Sequence, residues 1–184
     1  MKLNAKQIRD LEETTELPDI KRYPVIFILD NLYDTYNIGG IFRLADALAV
    51  THLYICGDSE TPPNHRIKKA SIGTYKLVPW SYKKSAKEAM EEAKKLYPEI
   101  KVLSIEQNED STPFQSYDYP SSEPIAFVVG NETEGVSLEA QKASDAILEI
   151  PMLGVNSSLN VIVSLAIVST HIYTKLGYFE QNSE

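Results

Sequence analysis

Short apolar runs punctuate the chain at residues 24–29 (Pro-Val-Ile-Phe-Ile-Leu), 52–56, 101–105, 124–129 and 145–150. The first and fourth are continuously apolar and rich in branched side chains, which marks strands buried on both faces. Between the runs, apolar residues recur at helical spacing. Helices are expected over residues 5–14, over 38 to about 50, over 85–97 with Ser85 as cap, and from Ser137 to about 143. Residues 30–37 read as a polar turn, 108–122 as a loop and 76–78 as a short strand. Strands alternating with helices predict an α/β fold, a mostly parallel sheet with helices on both faces. Residues 1–22 form an N-terminal helical extension in this reading, and residues 23–184 one domain.

The C-terminal part is the most unusual. Pro151 and Gly154 break regular structure after the last strand, and Asn156, Ser157 and Ser158 are good helix caps. The helix expected over 159–175 is apolar all round. Leu159, Ile162, Val163, Ala166 and Ile167 make one face, and Val161, Leu165, Val168 and Ile172 the other. A helix of that kind is buried on every side. Ser158 and Asn160, just before it, are therefore expected deep inside.

Composition narrows the class. The 184 residues suit one domain with a good core, and 43% hydrophobic content is ordinary. No apolar run approaches the ~20 residues of a membrane span. The single cysteine, Cys56, leaves no internal disulfide, and the three histidines lack metal-ligand spacing. A cytoplasmic protein without metal or membrane partner is expected. The net charge of −8 speaks against a nucleic-acid partner, but its distribution does not. Residues 61–84 carry Arg66, Lys68, Lys69, Lys76, Lys83 and Lys84 and no acidic residue, interleaved with Tyr75, Trp80 and Tyr82. Positive charge with aromatics suits RNA, through phosphate attraction and base stacking.

Ligands of a parallel sheet bind beyond the carboxyl ends of its strands. Neither the Rossmann glycine fingerprint nor a P-loop is present. Instead Asn37-Ile-Gly-Gly-Ile-Phe-Arg43, Gly130-Asn-Glu-Thr-Glu-Gly135 and Ile150-Pro-Met-Leu-Gly-Val-Asn-Ser-Ser-Leu-Asn-Val161 follow strands. Glycines 39, 40, 73, 130, 135 and 154 are placed by this reading in strand-to-helix turns or beside Ser71, where backbone must approach a ligand closely.

With Asp30-Asn31 and Lys69-Ala-Ser-Ile-Gly73, these stretches resemble the SpoU/TrmH branch of the SPOUT RNA methyltransferases, over about residues 23–177. Thr35 departs from the proline often found after the aspartate, which affects turn stiffness. The resemblance implies S-adenosylmethionine as cofactor, ribose 2′-O-methylation of RNA (tRNA or rRNA), a C-terminal trefoil knot and a homodimer through the C-terminal helix. Asn37, Arg43, Glu132, Ser158 and Asn160 match the catalytic constellation. Ile105, Gly130, Asn131, Ile150, Ser158 and Leu159 match cofactor-contact positions. A guanidinium does not deprotonate in a protein. Arg43 is therefore assigned to clamping phosphate and steadying negative charge, with Arg66, Lys68 and Lys69 as further RNA contacts. No histidine lies in any motif, so the motifs name no general base. A non-catalytic RNA-binding or assembly module on the same fold would show erosion at Arg43, Glu132, Ser158 or Asn160, and all four are intact. A hydrolase using Ser158 would need a nucleophile elbow, and Val155-Asn-Ser-Ser-Leu159 is not one.

Overall fold

The computed structural model describes residues 2–11, 20–121 and 124–182. Its strands are β1 (Tyr23–Asp30), β2 (Val50–Cys56), β3 (Trp80–Lys83), β4 (Lys101–Ile105), β5 (Thr112–Pro113), β6 (Ile125–Gly130) and β7 (Ala146–Glu149). They form one sheet in the order β3-β2-β1-β6-β4-β7-β5, and every pairing is parallel. The helices are α1 (Ala5–Arg9), α2 (Thr35–Ala47), α3 (His65–Ser71), α4 (Ala86–Leu96), α5 (Leu138–Ala143) and α6 (Val161–Lys175).

Alternation along β1 assigns the two cores. Val25, Phe27 and Leu29 join a cluster with residues of α2, α3 and α6, whereas Ile26 and Ile28 join one with α4 and α5. Both faces are thus covered, as the continuous apolar runs predict. Alanines 86, 89 and 93 are buried together with Met90, and their small side chains bring α4 close to the sheet. β7 lies between β4 and β5. The segment joining those two strands contacts α5 through Asn108 and Gln141, and beyond β5 it contacts α6, where Phe114 and Tyr119 meet His171.

Several boundaries differ from the sequence reading, each for a local reason. α2 starts at Thr35, inside the expected turn, because the Asp34 carboxylate accepts the Tyr36 N–H at 2.8 Å. Gly39 and Gly40 therefore lie within a helix. A Cβ on Gly39 would collide with Ala70 on α3, and one on Gly40 with Ile162 on α6, so their bareness lets three helices pack closely. The basic window contains α3, capped by Asn64, which the sequence reading lacked. Its strand is β3, while residues 74–76 form a 3₁₀ turn. The Leu77 carbonyl at the expected strand is instead taken by the Arg22 guanidinium at 2.8 Å. Residues 112–113 of the expected loop pair with β7. α1 ends at Arg9, and the rest of the expected first helix to residue 14 falls partly outside the described residues.

α6 begins at Val161, and its cap is Asn160, whose side chain accepts the Ile162 N–H at 2.9 Å. Within one chain only one of its faces is covered. Val161, Leu165, Val168 and Ile172 are in the core, while Leu159, Val163 and Ile167 are 38%, 44% and 36% exposed. Ser158 and Asn160 are likewise exposed rather than deep. Apolarity read from sequence does not say whether the second cover is the same chain or another.

Candidate functional site at the carboxyl edge of the sheet

β1 and β6 are neighbours, yet the connection from β1 leads to α2 on one face and that from β6 to α5 on the other. A crevice opens at such a switch point. Its walls are tied by side chains that accept backbone N–H groups. Asp30 accepts the Ser137 N–H at 2.9 Å, and Glu106, directly after β4, accepts those of Val136 and Gln107, both at 2.8 Å. Asn131 accepts from Thr133 and Glu134 at 2.9 and 2.8 Å, which curls the loop. Two glycines are required here. A Cβ on Gly130 would collide with the Gly135 carbonyl, and Gly135 has φ +68° with the Glu106 carboxylate against it.

Three of the five proposed catalytic residues meet in one hydrogen-bonded chain. The Asn160 amide donates to the Asn37 Oδ1 at 3.0 Å, and the Asn37 amide donates to Glu132. Asn37 is only 6% exposed, so both ends of its amide are assigned and its orientation is fixed. The residues come from α2, the turn after β6 and the cap of α6, the last two lying 95 and 123 positions from Asn37 in sequence. Ser158 stands on the neighbouring loop, in which Asn156 closes a turn on the Ser158 backbone at 2.9 and 3.3 Å. Arg43 lies two turns along α2 from Asn37, exposed and with no hydrogen bond or ion pair among the described residues.

Beside this chain is a cavity of about 500 Å³ between the loops that follow β4, β6 and β7. All six proposed cofactor contacts, Ile105, Gly130, Asn131, Ile150, Ser158 and Leu159, line it, as do Glu132 and Asn160. Asn37 and Arg43 do not. Its charged lining is entirely acidic: Glu106, Glu132, Glu134 and Glu149, with no lysine, arginine or histidine. The sequence reading missed Glu106, Glu134 and Glu149. Glu106 was accessible to the rule that ligands sit beyond strand ends, since it is the first residue after β4.

The opposite charge gathers on α2 and α3. Arg43, Arg66, Lys68 and Lys69 are all exposed, and none is ion-paired among the described residues. Lys76 and Lys83 of the basic window are otherwise used, whereas Lys84 is exposed. Lys83 pairs with Glu92, which holds that carboxyl below its usual range, and Lys76 donates to the carbonyls of Arg9 and Leu11. Tyr75 and Trp80, expected as stacking residues, pack edge-on against Phe42 in the core. Only Tyr82 of that trio is exposed.

Comparison with known proteins agrees with this architecture. The chain is 28% identical over 162 residues to a putative TrmH family tRNA/rRNA methyltransferase of Staphylococcus epidermidis, covering 88% of this chain and 63% of that one. It is 28% identical to the 23S rRNA (guanosine-2′-O-)-methyltransferase RlmB of Neisseria meningitidis, covering 83% and 59%. The chain thus spans less than two thirds of the length of these curated relatives. Among solved structures, the TrmH/SpoU tRNA modifying enzyme of A. aeolicus superposes with a TM-score of 0.73 at 26% identity, covering 96% of this chain and 85% of that one. An AdoMet-bound rRNA methyltransferase from Sinorhizobium meliloti gives 0.75 at 22% identity, covering 92% and 60%, a likeness of fold. The sequence pattern of the SpoU rRNA Methylase family matches residues 24–170, and the chain belongs to that family.

Proposed function

We propose that this protein methylates a ribose 2′-hydroxyl of tRNA or rRNA with S-adenosylmethionine as the methyl donor. The observation that carries the reading is the juxtaposition of an acidic cavity with the Asn160–Asn37–Glu132 chain and a cationic face beyond it. The volume is that of a small-molecule site. Four carboxylates with no opposing cation suit a ligand bearing a sulfonium and an ammonium, and repel nucleotide phosphates. Ile105, Ile150 and Leu159 supply apolar walls, and the loop backbones supply donors and acceptors for an adenine edge. When bound, the cofactor supplies a methyl group on an electron-poor sulfur.

The chain's own residues orient the acceptor and take up charge. Asn160 and Glu132 fix Asn37, and Glu132 is the one ionisable member of that hydrogen-bonded chain, so it is the carboxylate placed to receive the hydroxyl proton. Arg43 and Arg66 hold phosphate by planar, bidentate contacts. The exposed stripe of Leu159, Val163 and Ile167 runs from the cavity's rim along α6, and a second copy of the chain covering it forms the homodimer. Val163→Glu should then give monomers by sedimentation, whereas a charge at Val168 or Ile172, both buried in one chain, would unfold it. The position of β7 between β4 and β5, with the segment before β5 touching α5 and the one after it touching α6, supports the trefoil knot implied by the family resemblance.

The test has two steps. Calorimetry should show S-adenosylmethionine binding, lost on Glu134→Lys. RNA methylated in vitro should then become resistant to alkaline cleavage at one phosphodiester, because that cleavage needs the free 2′-hydroxyl. A methylated but alkali-sensitive product would place the methyl group on a base and sink the ribose assignment.

A further inference from the structure

A second hollow, of about 400 Å³, lies between the turn leading from β1 into α2 and the start of α3. Tyr33 and Tyr36 form one side, Arg66 and His65 the other, with Asp34 and Glu60 also on the lining. Each tyrosine is 51% exposed, and neither hydroxyl has a hydrogen-bond partner among the described residues. Tyr23, Tyr119 and Tyr173 behave differently, each being buried and donating to a carbonyl at 2.7 Å. Large aromatic surface left in water at a cleft calls for an occupant.

We propose that this hollow receives an unstacked RNA base adjoining the methylated nucleotide, with Tyr36 as the stacking face. The inference rests on the RNA-methyltransferase reading above and adds a substrate-selecting residue to it. Tyr36 immediately precedes Asn37 in α2, so its backbone adjoins that of the hydrogen-bonded chain while its ring stays exposed on the side of the hollow. The Asp34 cap fixes its backbone, which lowers the entropy cost of stacking. Seven residues further along the same helical stripe, roughly 10 Å away, stands Arg43. Gly39 and Gly40, between them on that stripe, are covered by Ala70 of α3 and Ile162 of α6, so a strand reaching from ring to guanidinium must cross over these helices. Arg66 lines the same hollow from α3, its backbone N–H held by Asn64 at 2.9 Å. Asp34 and Glu60 decide what lies inside. Two carboxylates repel a phosphate but accept hydrogen bonds from the amino or imino groups of a base. The base therefore enters, and its phosphates stay outside on Arg66 and Arg43.

The test measures binding of a fluorescein-labelled single-stranded oligoadenylate across a salt series, with S-adenosylmethionine affinity followed separately by calorimetry. Tyr36→Ala should weaken oligonucleotide binding about tenfold with an unchanged salt slope, since stacking releases no counterions. Tyr36→Phe should bind like wild type. Arg66→Ala should instead flatten the slope. Wild-type affinity in Tyr36→Ala, failure of the phenylalanine variant, or no binding by the wild type at low salt would overturn the proposal. So would dissociation to monomers in Tyr36→Ala, which would make the ring part of a contact between copies. Absence of S-adenosylmethionine binding in the wild type would strike the catalytic reading alone and leave the stacking result standing.

Discussion

The cavity between the loops after β4, β6 and β7 and the face made by α2 and α3 stand on either side of Asn37, and they carry opposite charge. The cavity is lined by four glutamates and no cation, while the helical face presents Arg43, Arg66, Lys68 and Lys69, unpaired among the described residues. The two also differ in how they are built. Cavity residues are locked by backbone contacts, by Asn131 and by glycines that admit no side chain. The basic side chains project into water, Arg43 from α2 and the other three from α3, a helix of seven residues. A pocket held by such contacts suits a small cationic ligand of fixed shape, and an exposed basic rim suits a long polyanion held at many points. The net charge of −8 averages over both and describes neither.

The largest expected effect comes from filling the pocket's hinge. Gly130→Ala places a methyl group against the Gly135 carbonyl and pushes the 130–135 loop into the cavity. S-adenosylmethionine binding and turnover should both fall below detection, while oligonucleotide affinity stays within about twofold of wild type. If oligonucleotide affinity collapsed too, the two regions would not be independent and the comparison would break. Glu132→Gln keeps the hydrogen bond from Asn37 but removes the charge. It should cost on the order of 10²-fold in turnover with little change in cofactor affinity, read from single-turnover methyl transfer.

Changing Arg66, Lys68 and Lys69 together to Ala should have a smaller effect of another kind. Each phosphate contact adds about 0.9 to the salt slope, so the slope should flatten by roughly two to three and affinity fall about tenfold at moderate salt. Cofactor affinity should not move. Superimposable slopes for wild type and variant would mean that RNA is held elsewhere, with the α3 cations merely solvated.

How far the sequence revealed this division depends on how local each determinant is. Strands β1 and β6 were legible because burial on both faces writes a continuous apolar run, and α4 because Ser85 caps a regular pattern. Asn37, Glu132 and Asn160 were legible as motifs, but not as a connected chain, since their meeting depends on strand order. The stacking role read for Tyr75 and Trp80 failed because an aromatic among basic residues carries no mark of which way it points, and both turn into the core against Phe42. α3 was missed for a similar reason. Its seven residues bury only Ile67 and Ser71, too few for a periodic signal. The acidic character of the cavity was hidden because its glutamates come from the loops after β4 and β6 and from the end of β7, spread over the chain.

The smallest effect concerns α6, the helix that backs the cavity, and asks whether acid loosens this side while sparing the other. His171 packs against the rings of Phe114 and Tyr119, with its Nε2 buried and without a hydrogen-bond partner among the described residues. Burial, and then Lys175 nearby, hold its pKa below the ordinary histidine value of 6.5. The sign follows from proton counting. The unfolded chain takes up a proton near pH 6.5, whereas the folded one resists until a lower pH, so stability is fully present above 6.5 and is lost as pH falls through the folded value. His52, whose pKa is also lowered by burial, acts in the same direction from β2. His171→Phe keeps the ring contacts and removes the titration, so the fall in Tm between pH 7 and pH 5 should shrink by roughly 2 °C relative to wild type. S-adenosylmethionine affinity should hold better at pH 5 in the variant, because α6 carries Val161 and Ser164 of the cavity wall. Oligonucleotide binding at the same pH should be equal in both proteins, since no residue of α3 touches that ring. A wild-type-like loss of Tm in His171→Phe would assign the acid sensitivity to His52 and the carboxylates, and leave α6 without a part in it.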